Sequence, residues 1–410
     1  MESADREARE RTEHNVRTLC REVTWAGIAG GIVTSFLSIF ALRLGATPFD
    51  VGLLTTGPAI AGILFPLPAA RLVNRLWGKP VVVIPLALYR MLFAFVVIIP
   101  WLPASSRVAL LVGAMAVMSI ALAFFNTAFV PLMAKVLPMD VRARTIAERG
   151  MRAGITSTLA VLVAGKILDF LPFPFNFQAI FALAFVTAQM STVYVARVHI
   201  PPLMDDSHPT PRPHADNPDN MPSGVISLRT GAFWRHTGAA VVFILGIYLP
   251  IALYPVVLVD KLHATNGWIG ALAMAGGLAA VGLSSLWGRA CTRFGNRPVL
   301  VVSGLAYALA PLGASLAPNL PAYAPVAVAQ VGLLAIVGQG LLQCLYDVLP
   351  GRRHTHYLAM YSVLANCAVA GAPPLGTFLL GAIGMPMTFR LGAGCVLLGS
   401  VLLGLAVRHE

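Results

Sequence analysis

Few residues of this 410-residue chain can do chemistry, and where they fall limits what that chemistry is. Its 17 aspartates and glutamates lie in the first 22 residues, in the stretch 201–224, in the last residues or near breaks between apolar blocks. Asp50, Asp169 and Asp260 mark one set of breaks, and Asp140, Glu148 and Asp347 the other. No His-Glu-x-x-His, Gly-x-Ser-x-Gly or aspartate-rich prenyltransferase motif is present, so no catalytic residue is assigned. A membrane enzyme would need convergent Asp, His or Cys facing one site. HADNPD, from His214 to Asp219, shows the His-x4-Asp spacing of some acyltransferases, and His208, Asp205 and Asp206 lie nearby. That stretch is too rich in Pro, Asp and Asn to build a scaffold that fixes ligand geometry, so it reads as a solvated tether, and no metal site is assigned. The cysteines Cys20, Cys291, Cys344, Cys367 and Cys395 form no CxxC pair, which argues against a disulfide framework or a zinc site. Among cations, only Arg90, in LALYRMLFAF, stands near the middle of an apolar block, where a charge costs at least about 2.5 kcal/mol. It is either an anchor for an anionic group or gating partner, or a structural arginine bonded to carbonyls and hydroxyls.

The elements that position these residues follow from composition. The chain is 57% hydrophobic and 11% charged, whereas a soluble domain is about 25% charged. Its apolar residues come in blocks of about 20 or more, long enough to cross a hydrocarbon core of about 30 Å as helices. The period-two alternation of a membrane barrel is missing. The expected fold is therefore an all-α polytopic membrane protein. Twelve spans are expected near 23–45, 49–73, 80–103, 107–134, 146–171, 176–198, 236–260, 265–290, 298–317, 322–347, 356–383 and 386–407. They divide the chain into a helical leader at 1–22, a six-helix bundle at 23–200, a linker at 201–230 and a second six-helix bundle at 231–410. The leader mixes Arg with Glu and is not the basic region of a cleaved signal.

The net charge of +12 lies between apolar blocks rather than along a soluble face, which points to a membrane surface and not to nucleic acid. With the N-terminus inside, all but Arg43, Arg90, Arg107, Lys166, Lys261 and Arg390 of the 29 lysines and arginines fall in cytoplasmic segments. Both termini are thus expected in the cytoplasm of a cell membrane, since cationic loops are retained there. Lys166 and Asp169 stand three apart, as an ion pair on one helix would.

TRFGNRPVLV at 292–301 repeats NRLWGKPVVV at 74–83, keeping Arg75, Pro80, Val81 and Val83 in step with Arg293, Pro298, Val299 and Val301 and pairing Lys79 with Arg297. A second echo joins KVLP at 135–138 to DVLP at 347–350. Two duplicated halves are the arrangement in which a substrate site lies at their interface. Here the chain resembles the major facilitator superfamily. The family's loop between helices 2 and 3, G-x-x-x-D-R-x-G-R-R/K, matches GRACTRFGNR from Gly288 to Arg297, with Thr292 at the acidic place and Asn296 at a basic one. The first copy keeps Arg75 but has Ala70, Asn74 and Trp77 for the first glycine, the aspartate and the second glycine. PMDVRAR at 138–144 and GAPPLG at 371–376 resemble the family's 4–5 loop and helix 11.

The resemblance implies two pseudo-symmetric six-helix bundles, a small-molecule substrate and a gating hinge at Asn74, Arg75, Lys79, Gly288, Thr292, Arg293, Gly295 and Arg297. Because Asn74 and Thr292 replace the acidic residue that latches the family's halves, Asp140, Glu148 and Asp347 are the expected acceptors for Arg75 and Arg293. It also implies that spans 1, 4, 7 and 10 line a cavity. Their polar residues are Thr34, Ser38, Ser119, Asn126, Thr127, Tyr248, Tyr254, Gln330, Gln339 and Gln343, with Arg90 as the charged candidate. Spans 2, 5, 8 and 11 would slide on glycines, Gly52, Gly62, Gly150, Gly154, Gly270 and Gly376 among them. Pro250 and Pro255 predict a bend in span 7. A sparse polar set suits an amphipathic compound, so a monomeric secondary transporter, an efflux permease, is expected, with an importer or lipid transporter of the same fold as the alternative. A non-transporting receptor or membrane-embedded enzyme is the alternative of a different class. No cofactor is expected, and coupling to protons or another ion stays open.

Overall fold

A computed structural model describes residues 2–76, 78–200, 223–349 and 354–405. Among the described residues the chain is helical, without strands. The helices of the first half are α1 (Glu2–Arg43), α2 (Pro48–Leu64), α3 (Pro66–Arg75), α4 (Lys79–Ile98), α5 (Arg107–Val136), α6 (Met139–Phe170) and α7 (Phe175–Ala196). Those of the second are α8 (Ser223–Tyr248), α9 (Leu253–Val256), α10 (Asn266–Phe294), α11 (Asn296–Leu316), α12 (Leu320–Val348), α13 (His354–Ile383) and α14 (Met385–Leu405). Among the described residues, eleven helices, counting α8 and α9 as one span, are long and apolar enough to cross a membrane, or up to 12 if α2 and α3 form one bent span. This agrees with the expected spans.

Two expected spans are not straight rods, and proline explains both. Pro66 and Pro68 lack the amides that would bond Gly62 O and Leu64 O, and the chain bends by 51° between α2 and α3. In span 7, Pro250 cannot donate to Gly246 O, and a turn at 249–252 separates α8 from α9 before a π-helical turn at Val257–Lys261. The duplicated hinge also has one backbone cause. Gly78 (φ 156°) and Gly295 (φ 85°) hold positive φ where α4 and α11 begin. The glycine of the first copy thus stands one place after Trp77, which lies outside the described residues.

The chain forms two compact units. Unit 1 comprises Met1–Ala46, Leu64–His208 and Thr265–Met274. Its core joins Leu19, Val73, Val82, Leu86, Leu132, Val195 and Val198, from α1, α3, α4, α5 and the end of α7. Glycines let backbones meet: a Cβ on Gly31 would stand 2.7 Å from Ser157 O, so α1 lies directly on α6. The leader is not separate, because α1 runs unbroken from Glu2 to Arg43. Asn15 fastens it to the end of α7, donating to His199 O at 3.0 Å and accepting from His199 N at 2.9 Å.

Unit 2 comprises Thr47–Ile63, Pro209–Ala264 and Ala275–Glu410. Its core includes Phe243, Ile247, Trp287, Leu300, Tyr307, Leu341 and Val396. Phe243 fills the notch left by Gly304 and Gly399, where a Cβ would come within 2.7 Å of it. Gly376 lies so close under Leu249 O that a Cβ there would overlap it. The α2 segment packs on α13: Thr56 Oγ1 donates to Ala370 O at 2.9 Å, and Gly52 and Gly62 face Pro373 and Asn366. Large side chains point outward in both units, Leu67, Val130 and Phe378 each above 70% exposed. Hydrocarbon accommodates such a surface, so cohesion rests on close packing and internal hydrogen bonds rather than on exclusion of water.

Candidate functional site

A cluster of charged side chains lies inside unit 1. Glu22, on α1, is 3% exposed, and its carboxylate reaches two arginines. Oε1 lies 3.6 Å from Arg90 Nη2 on α4, and Oε2 lies 2.8 Å from Arg149 Nη1 on α6. Oε2 makes no aligned hydrogen bond, so the Arg149 contact is Coulombic in character. Ser191 Oγ, on α7, donates to Oε1 at 2.6 Å. Arg90 Nη1 also donates to Ala188 O at 2.7 Å and to Thr192 Oγ1 at 3.0 Å. Arg149 donates to Leu19 O and stands 5.2 Å from the centre of the Phe129 ring. A buried charge persists where it is both paired and hydrogen-bonded, and four helices supply those partners here. The arrangement matches carbonyl and hydroxyl bonding of Arg90 within the bundle.

Glu22 corrects the expectation that every acid lies in a leader, linker, tail or span end. Because α1 continues without a break, Glu22 belongs to the bundle rather than to a separate leader. The signal in the sequence was the spacing Asn15, Leu19, Glu22, Ala26, Ala29, which continues one helical face of the apolar block back into the charged stretch.

The uncharged polar candidates divide by exposure. Thr34 on α1, Asn126 on α5, and Gln339 and Gln343 on α12 are exposed on otherwise apolar helices. Ser38, Thr127 and Tyr248 are half-buried, while Ser119, Tyr254 and Gln330 are buried. Ser119 and Thr127 donate to carbonyls of their own helix, Met115 O at 2.7 Å and Ala123 O at 2.8 Å. Tyr254 lies in the interior of unit 2 with its ring 5.1 Å from that of Phe389. No group of three or more metal-ligating side chains occurs among the described residues.

The hinge residues are placed less uniformly. The side chains of Asn74 and Asp140 lie outside the described residues, as does the linker at 201–222 with its histidines and aspartates. Arg75 and Lys79 are exposed, as are Gly288 and Gly295. Thr292 Oγ1 bonds its own helix at Arg289 O (2.8 Å), Arg297 Nε donates to Leu403 O at 2.6 Å, and Arg293 lies 5.3 Å from the Phe294 ring. The expected acceptors have other partners. Glu148 pairs with Arg152 at 2.6 Å, and Asp347 accepts from Asn296 Nδ2 at 3.0 Å. Neither is bonded to Arg75 or Arg293; Arg152 stands one turn from Glu148 on the same helix, where a pair costs little side-chain entropy to hold. Among the glycines, Gly150 and Gly154 have no neighbour within 4 Å, whereas Gly165, not anticipated, meets Gly270.

Comparisons with known proteins agree on the architecture. The chain aligns with a bacterial homologue of the human lysosomal transporter Spinster, in an inward-facing and occupied conformation, at TM-score 0.71 and 13% identity over 96% of each chain. It aligns with a D-xylose–proton symporter at TM-score 0.69 and 14% identity, again over 96% of each. With the nucleoside transporter NupG the TM-score is 0.67 and the identity 11%, over 96% of this chain and all of that one. No curated protein matches the chain. At these identities the solved structures speak for the fold. The family model described as Major Facilitator Superfamily matches residues 24–247 and 237–410, nearly the whole length in two overlapping stretches. The chain, a multi-pass membrane protein, belongs to the Major Facilitator Superfamily, a family of transporters of small molecules and not of enzymes.

Proposed function

We propose that this protein is a secondary transporter working by alternating access, and that it exports small amphipathic compounds of no net charge. One observation carries the substrate class. The buried charges Glu22, Arg90 and Arg149 are engaged with one another, while the exposed polar residues Thr34, Asn126, Gln339 and Gln343 carry no charge. A substrate meeting those side chains finds a few hydrogen-bonding groups in an apolar setting. A sugar would need many more, and a strongly charged compound would lack a counter-ion. On this reading Arg90 holds the bundle together instead of binding substrate.

The distribution of lysine and arginine supports placing both termini in the cytoplasm of a cell membrane. In that orientation Asn74 to Lys79 and Gly288 to Arg297 lie on the cytoplasmic side and Asp169 on the outer side. The protein acts as a monomer of two bundles, 23–200 and 231–410, joined by the linker at 201–230, with residues 1–22 continuing α1 as its cytoplasmic end. Glu148 and Asp347 are the carboxylates through which transport would couple to protons.

The test is transport in proteoliposomes with a panel of neutral and charged amphipathic compounds, with and without an imposed pH gradient. The expected result is saturable movement of neutral compounds, reduced at least several-fold by Asn126→Leu or Gln339→Leu. Saturable transport of sugars or of strongly anionic compounds alone would overturn the substrate class.

A further inference from the structure

In unit 2, α8 turns a histidine into the packed interior. His236 is 2% exposed, and its ring stacks on that of Tyr361 from α13, with 6.3 Å between ring centres and 27° between planes. The ring faces the backbone of Leu341 on α12. The tautomer with its hydrogen on Nδ1 suits that carbonyl and leaves a lone pair on Nε2, which is buried without a partner. Two charged groups act on the ring, Arg297 of α11 and Asp347 of α12. Arg297 is tied to α14 by its bond to Leu403 O at 2.6 Å. Asp347 is exposed, and its carboxylate accepts from the uncharged amide of Asn296 at 3.0 Å. Because an asparagine stands at that place of the hinge, the carboxylate has no cation at hydrogen-bonding distance among the described residues. The other titratable or charged groups at this level are Cys344 on α12, Tyr357 and Tyr361 on α13 and Arg235 beside the histidine. The side chains of His354 and His356 on α13 lie outside the described residues. On α14 only Cys395 and Arg390 titrate, both about two turns or more from Leu403.

We propose that His236 is a proton-binding site, with Asp347 as its counter-charge, and that it makes this part of unit 2 respond to acid. The step is a bare proton transfer from hydronium in water to the Nε2 lone pair, forming one N–H bond and leaving the ring with a positive charge. Asp347, the exposed anion of the pair, draws protons to this part of the surface. A charge on the stacked ring would stand in an apolar pocket facing Arg297. The charged ring therefore leaves Tyr361 and moves toward Asp347, where an unmatched carboxylate receives it. Falling pH lowers the stacked population, and rising pH restores it. The stacked arrangement also leaves a second polar group unmet. Trp287, whose ring lies against Gly340 next to Leu341, buries its Nε1 without a partner, so loosening this packing lets water reach two polar atoms. The inference goes beyond the transport reading and does not need it, since α8, α11, α12 and α13 all belong to unit 2.

The full chain labelled with 15N-histidine in lipid vesicles reports the charge of each imidazole by its ring nitrogen signals, and His236→Asn identifies the signal by its loss. The His236 ring should be neutral near about pH 8 and charged near about pH 5. Hydrogen exchange of the amides at 232–240, corrected for the intrinsic effect of pH, should quicken over the same range by up to about ten-fold per pH unit, the limit for one bound proton. In His236→Asn that response should be flat. Asp347→Asn should move both responses about one pH unit lower, the worth of one nearby opposite charge. A His236 signal that stays neutral down to about pH 5, an exchange response that persists in His236→Asn, or responses unmoved by Asp347→Asn would overturn the proposal. Should His236→Asn fail to fold, the exchange profile of Asp347→Asn decides it. No compound is added in these measurements, so a failure of the transport reading leaves their outcome untouched.

Discussion

Glu22 on α1 and Arg90 on α4 face each other at 3.6 Å inside the first bundle, with Arg149 closing on the opposite carboxylate oxygen at 2.8 Å. Two cations share one anion there, so removing the anion is the most damaging single change to the cluster.

Glu22→Gln should leave Arg90 and Arg149 buried without a counter-charge and cost about 3–5 kcal/mol. Thermal unfolding in detergent should show a large drop. Because the pair acts as a unit, Glu22→Gln combined with Arg90→Met should cost less than the two single changes added together. Additive losses would show that the two groups do not depend on each other.

Arg90→Met alone should lower stability while leaving the apparent KM for a neutral substrate within about two-fold in the folded fraction, a change below about 0.4 kcal/mol in binding. A ten-fold rise in KM with unchanged unfolding temperature would mean that Arg90 touches substrate.

Gly376→Ala and Gly371→Ala make a matched pair on α13. The first drives a methyl into Leu249 O and should cost about 1–3 kcal/mol, or more if the turn at 249–252 cannot yield. The second meets nothing within 4 Å and should stabilise the helix by up to about 1 kcal/mol. Unfolding temperatures of the two variants that move together would contradict this contact geometry.

Pro66→Ala with Pro68→Ala restores two amides whose acceptors, Gly62 O and Leu64 O, are in reach of a continuous helix. Hydrogen exchange should show both new amides protected and the bend reduced. Rapid exchange at both would mean that packing of α2 and α3, and not proline, sets the 51° break.

The amino-acid order alone was enough to read the helical spans and the family. The physical reason is that hydrocarbon admits only helices of a set length, so apolar blocks and the basic breaks between them record the architecture along the chain. Even the interruption of span 7 was readable, since Pro250 lacks an amide whatever surrounds it. Tertiary structure alone decided where Glu22 lies. Its neighbours in sequence form a mixed-charge stretch that looks solvated, and its partners Arg90, Arg149 and Ser191 are brought to it from three other helices. The partners of Glu148 and Asp347 were equally out of reach, because choosing among several acceptors depends on distances and side-chain entropy that no linear motif encodes. The junction of Gly165 with Gly270 belongs to the same class: a glycine shows that a backbone can be approached closely, and only the folded chain shows by what.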